Sequence, residues 1–231
     1  MSETDRAGGS AYEMPTPEQV AAAELAERRS KYMAKMEGLV ESGLLRANIH
    51  KYARPWPEAV ANNPEAWALA KRWHPSMGNL YAFGPNGVGK SALMRYVLAQ
   101  AIWRGIRVAE ASGPQFALRL ASYEQDAMLT QLERVPILFL DDLDKGAWNP
   151  RALAYLWDLI DLRRERERAT LVTANMDNAH MHALLHRGAG GRDEDCMATA
   201  IMRRLQPLQS LPMQGDDLRA LTTFGSWGRT Q

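Results

Sequence analysis

Gly84-Pro85-Asn86-Gly87-Val88-Gly89-Lys90-Ser91 is the stretch that decides the fold. Glycines at 84, 87 and 89 let the backbone bend so that successive N–H groups face one point, and a lysine and a hydroxyl follow at once. A G-x-x-x-x-G-K-S string arises by chance, so its flanks matter. Asn79 to Phe83 reads as a strand leading in, and Ser91 to Arg104 as an amphipathic helix leading out, with Leu93, Met94, Val97 and Ile102 on the inner face. With both flanks in place, all eight residues from Gly84 to Ser91 are expected to hold a nucleoside triphosphate. The helix N-terminus adds a favourable partial charge for the anion. Lys90 is expected at the β- and γ-phosphates, and Ser91 as a ligand of Mg²⁺.

Working outward, Ile137-Leu138-Phe139-Leu140-Asp141-Asp142 is an apolar strand ending in two carboxylates. A buried central strand carrying a metal-binding acid at its C-terminal edge has this form. Asp141 is read as the Mg²⁺-side acid and Asp142 as the residue that polarises the attacking water. Asp144 reads as an exposed loop residue. Strands expected at 80–83, 107–111, 137–140 and 170–173 alternate with helices, which implies a parallel sheet flanked by helices. The strand Thr170 to Thr173 runs into Ala174-Asn175, placing a lone amide where a γ-phosphate would lie, so Asn175 fits a phosphate sensor.

Residues 1–15 read as a disordered leader. Thr16-Pro17-Glu18-Gln19 then supplies an N-cap, a proline at the first helical position and a capping-box glutamine. The helix it opens is expected to run to about Ser42, with Val20, Leu25, Tyr32, Met33, Met36, Leu39 and Val40 on one face, packed on its own domain or on a partner. Residues 43–63 read as a linker, and 64–73 as a short helix. This divides the chain into a leader, an N-terminal helical segment at 16–45, with partner binding as one of its two readings, and an ATPase domain at 46–231.

In a chain of 231 residues, 28 Lys and Arg nearly balance 27 Asp and Glu, so no whole-molecule field draws it to nucleic acid or membrane. DNA contact must then be local, with Trp103, Tyr123 and Arg119 as candidates beside the reading of the aromatics as core. Cys196 alone excludes an internal disulfide and fits a reducing compartment. The N-terminus lacks an apolar signal core and no apolar run is long enough for a bilayer, so a cytoplasmic protein is expected.

The arginine-rich run Arg163 to Arg168 reads as a solvated helix end. His186 to Asp195 is glycine-rich and charged and reads as a mobile loop, followed by a helix ending in Arg203-Arg204. A loop followed by arginines suits a contact in trans, which would make activity depend on a homo-oligomer. An Arg-Arg pair is also a common solvated helix end. A small-molecule kinase shares the strand, loop and helix, but Asp141-Asp142 followed by a sensor asparagine favours water as the nucleophile. A module that binds ATP without hydrolysing it stays open at this point.

Taken in order, the phosphate loop, the double aspartate, the Thr173-Ala174-Asn175 strand end and the Arg203-Arg204-Leu205 helix resemble DnaC-type replicative helicase loaders and IstB-type transposition ATPases of the AAA+ class. The likeness covers about residues 50–222. It implies Asp141 and Asp142 as the Walker B pair, with aspartate where AAA+ enzymes usually carry glutamate, and hence slow hydrolysis. It also implies Asn175 as sensor 1, Arg204 as an arginine finger and Arg219 as a second sensor. ATP and Mg²⁺ are the implied cofactors. The implied partners are a replicative DNA helicase, gripped by the helix from Pro17, and single-stranded DNA, with a transposition helper role as the alternative.

Overall fold

In the computed structural model, residues 16–121, 126–190, 195–206 and 208–219 are described. Helix α1 spans Pro17–Glu41, α2 Pro57–Asn62 and α3 Pro64–Arg72, followed by β1 at Asn79–Phe83 and α4 at Lys90–Trp103. Next come β2 (Val108–Ser112), α5 (Gly113–Ala121), α6 (Asp126–Arg134) and β3 (Ile137–Asp141). The chain continues through α7 (Pro150–Glu165), β4 (Ala169–Ala174), α8 (Asn178–Gly188), α9 (Asp195–Arg204) and β5 (Leu208–Pro212). Every strand pairing is parallel, and the five strands lie in the order β2-β3-β4-β1-β5. β3 and β4 are buried along their whole length, as continuous apolar runs in a helix-covered parallel sheet must be. α4 lies against β2, β3 and β4, and α7 against β4. Asn79 pins the start of β1: its Oδ1 accepts from Thr170 N–H at 2.6 Å and its Nδ2 donates to the Leu205 carbonyl at 2.6 Å.

The capping box forms as the sequence demands: Thr16 Oγ1 accepts from Gln19 N–H, and Gln19 Oε1 accepts from Thr16 N–H at 2.8 Å. Along α1, Tyr32, Met36 and Leu39 are buried in the domain core, whereas Val20 and Leu25 are exposed to 42% and 59%. The helix therefore has a seated half and a bare half.

Four expectations need correction. Residues 43–63 are no free linker: Leu44, Leu45 and Ile49 are buried, Leu44 O accepts from Glu110 N–H at 2.7 Å, and α2 forms within the stretch. β5 was not expected, because Gln209, Ser210 and Pro212 leave it without an apolar run; it is a short edge strand, where proline is tolerated. His186 to Gly188 close α8 instead of opening a loop, and residues 191–194 lie outside the described set.

Arg163, the fourth, is 1% exposed. Its guanidinium donates to the carbonyls of Leu132 (2.6 Å), Val135 (2.9 Å) and Ala169 and to Thr170 Oγ1 (3.1 Å), tying the end of α7 to the starts of β3 and β4. Burial, helped by the charge of Arg168, pulls its pKa down to about 9, so it still carries its charge at neutral pH.

Candidate nucleotide site

The loop from Gly84 to Gly89 joins β1 to α4, and its shape depends on glycine at two close approaches. A Cβ on Gly84 would lie 2.0 Å from the Met213 carbonyl oxygen, and one on Gly87 (φ +84°) would lie 2.0 Å from Asp217 Oδ1. Both neighbours belong to the chain's last described segment, which folds back over the loop. Leu218 N–H donates to Gly87 O at 3.0 Å and Met213 N–H to Phe83 O at 2.8 Å. Asn63 holds the same segment with a reciprocal pair, Nδ2 to Gln214 O at 3.0 Å and Gln214 N–H to Oδ1 at 2.8 Å.

Lys90 is buried, and its ammonium donates to Gly84 O (2.8 Å), Pro85 O (2.6 Å) and Asn175 Oδ1 (3.0 Å). Burial lowers its pKa, while the carboxylates of Asp142, Asp144 and Asp141 pull it back up. Ser91 Oγ donates to Asp141 Oδ1 at 2.6 Å, as does Thr173 Oγ1 at 2.8 Å; Thr173 in turn accepts from Asp142 N–H at 2.9 Å. Asn175 Nδ2 donates to Asp144 Oδ2 at 2.9 Å. Lys90, Ser91, Asp141 and Asn175 thus meet at the C-terminal edge of β1, β3 and β4. Asp144 joins them, which corrects its reading as an exposed loop residue: it is half-buried, and the turn after β3 aims it inward.

Asp142 sits in the left-handed region at φ 55°, ψ 49°, where aspartate is tolerated far better than longer side chains. That backbone is a local reason for aspartate where glutamate is common. Its carboxylate pairs with Lys145 at 2.8 Å, and Lys145 also reaches Asn86 Oδ1 at 3.4 Å.

Two arginines lie apart from this cluster. Arg204 pairs with Asp161 and lies 4.9 Å from the centre of the Trp157 ring, while Arg203 beside it is exposed. Arg219 grips Asp217, whose carboxylate, followed by that of Asp142, raises its pKa. Of the DNA candidates, Trp103 packs edge-on against Tyr32 at 5.3 Å with Arg28 over it, Arg119 is exposed on α5, and Tyr123 lies outside the described residues.

Sequence reasoning missed Thr173, Asp144 and Arg95, which binds the free side of Asp141. Two had a periodic signal: Thr173 is two residues before Asn175 on the same strand face, and Arg95 is four after Ser91 on the same helix face.

A nucleoside triphosphate fits this arrangement, with a phosphate cradle, a buried cation and an amide aimed at the same point. The donor set suits Mg²⁺: Ser91 and Asp141 offer only hard oxygens, and their mutual hydrogen bond leaves the hydroxyl lone pairs available to a cation. Among the described residues no group of three or more His, Cys, Asp or Glu is arranged to hold a metal ion by itself. Mg²⁺ characteristically completes such a partial set with water and phosphate.

Comparisons with known proteins bear on the family and the fold. Residues 68–223 match the family described as IstB-like ATP binding protein. No curated protein matches the sequence. Among solved structures, DnaI is similar with a TM-score of 0.55 at 22% identity, over 66% of this chain and 79% of that one. The DnaC helicase loader is similar with a TM-score of 0.52 at 20% identity, over 73% and 97%. AMPPCP-bound DnaA from Aquifex aeolicus gives 0.52 at 18%, over 72% and 50%. These likenesses carry the fold, and the family match covers more than half of the chain including the whole nucleotide site. The chain belongs to the IstB-like ATP-binding family and has the fold of an AAA+ P-loop NTPase.

Proposed function

We propose that this chain is a slow, Mg²⁺-dependent ATPase that loads a replicative DNA helicase onto single-stranded DNA, with ATP favouring an assembled homo-oligomer. The observation that carries this reading is the bare N-terminal half of α1, held out from a domain whose fold is shared with DnaI and the DnaC helicase loader. The exposed Val20 and Leu25 support docking of this helix to a partner. Within the cycle, Lys90 and the loop hold the phosphates, Ser91 and Asp141 hold Mg²⁺, Asp142 orients the water and Asn175 senses the γ-phosphate. Arg219, paired with Asp217 beside Gly87 of the loop, takes the second-sensor role once nucleotide displaces Asp217 from it.

A transposition helper is the second reading, favoured by the family's name. The family match begins at residue 68 and leaves α1 outside it, so α1 is where the two readings separate. Removing residues 1–31 spares the seated half of α1. The truncated protein is expected to bind nucleotide as the full chain does while losing capture of purified replicative helicase in a biosensor assay. Undiminished helicase capture would remove α1 as the grip, and capture of a transposase alone by the full chain would replace the loader reading.

The arginine acting in trans is assigned to Arg203 in preference to Arg204, because Arg204 would have to leave both Asp161 and Trp157 to reach a neighbour. Arg203→Ala is expected to leave nucleotide affinity intact and to cut turnover of the assembled form about a thousandfold. Normal turnover in that variant, with loss in Arg204→Ala, would return the role to Arg204.

A further inference from the structure

Asp141 is held from two sides by one helix face. Ser91 and Arg95 stand one turn apart on α4; Ser91 donates to Oδ1, and Arg95 Nη2 donates to Oδ2 at 2.8 Å. Arg95 is itself tightly placed. Its Nε and Nη2 donate to Glu110 Oε1 at 3.1 and 2.6 Å, and its guanidinium lies 5.6 Å from the Tyr52 ring centre and 6.0 Å from that of Phe139. The Glu110 side chain is 1% exposed. Tyr52 and Arg46, whose Nη1 stands 3.9 Å from the same Oδ2, come from the segment that joins α1 to the domain. The terminal torsion of an aspartate is broad, so a carboxylate anchored at one oxygen still swings. Donors on both oxygens, Ser91 and Thr173 on Oδ1 and Arg95 on Oδ2, stop that rotation.

We propose that Arg95 is a positioning residue for the metal-side acid: by holding Oδ2 it fixes Asp141 so that Oδ1 faces Ser91 and Mg²⁺. The Tyr52 ring braces that arginine, and Arg46 stands against the same Oδ2. This rests on reading the site as one for Mg²⁺-ATP. The partners of a metal-ligating group typically matter by about 10- to 100-fold in metal affinity.

The test compares the wild-type chain with the Arg95→Met, Glu110→Gln double variant, which leaves no unpaired Glu110 charge, and with Arg95→Lys, which keeps the charge but not the two-pronged geometry. Fluorescent ATP-analogue affinity is measured across a Mg²⁺ titration and in EDTA, with melting temperature alongside. The double variant is expected to need about 10- to 100-fold more Mg²⁺ for half-maximal tightening. Affinity in EDTA should be unchanged, and Arg95→Lys should recover part of the loss. An unchanged or lowered Mg²⁺ requirement in both variants overturns the role. Equal losses with and without Mg²⁺ also overturn it, since they indicate general damage. Absence of any Mg²⁺-dependent tightening in the wild type would instead overturn the underlying Mg²⁺-ATP reading, and the assignment with it.

Discussion

Lys90→Ala is expected to abolish ATP binding at ordinary nucleotide concentrations, lowering affinity by about two to four orders of magnitude. Two charge-assisted contacts to phosphate are worth about 1.5–3 kcal/mol each. Lys90 lies buried at the foot of the loop with three oxygen acceptors, two of them carbonyls of the loop itself. The ammonium therefore shapes the cradle as well as neutralising what enters it. Alanine removes both functions, and solvent does not replace a charge at a site this enclosed. Isothermal titration calorimetry with ATP and Mg²⁺ decides the matter. Affinity within tenfold of wild type would show that the loop amides alone carry the nucleotide.

The largest expected effect on stability is far from the nucleotide. Arg163→Met should destabilise the fold by about 3 kcal/mol, because it strands three carbonyls and a hydroxyl that the guanidinium now satisfies. Each stranded group costs about 1–3 kcal/mol, and removing a buried charge that has no carboxylate partner offsets part of that sum. For a chain of this size the melting temperature should fall by about 6–12 °C. Calorimetry measures it directly. A shift under about 2 °C would mean that backbone groups at the starts of β3 and β4 find other partners. ATP affinity below the transition should be unchanged, since Arg163 sits at the opposite end of β4 from Asn175.

What could be read from sequence was local. The phosphate loop with its strand and helix, the buried strand ending at Asp141 and the capping box at Thr16 each lie within a window of a few residues, where periodicity and residue type suffice. What could not be read depends on segments brought together from far apart. Asp144 looks like a polar turn residue until β4 places Asn175 beside it. Thr173 gains its role from the parallel register of β3 and β4, which pairs Leu140 with Val172 and sets the two strand ends level. Arg163 sits in a run of charges whose local character is that of a solvated helix end, and only the packing of α7 over the sheet shows it buried. β5 lacked any apolar signature because an edge strand needs little.

The segment folded over the phosphate loop also bears on how the protein is made. β1 has neighbours on both sides only when β5 arrives, and the hydrogen bonds of Asn63 to Gln214 and of Leu218 to Gly87 span well over a hundred residues. Such distant pairings form late, because the intervening chain must first be closed into a loop. A ribosome-bound chain that has not yet extruded residues 208–218 can build α1 and most of the sheet but not a finished grip on the phosphates. α1 can thus form early in translation, whereas the phosphate loop gains its covering contacts only after residues 208–218 emerge.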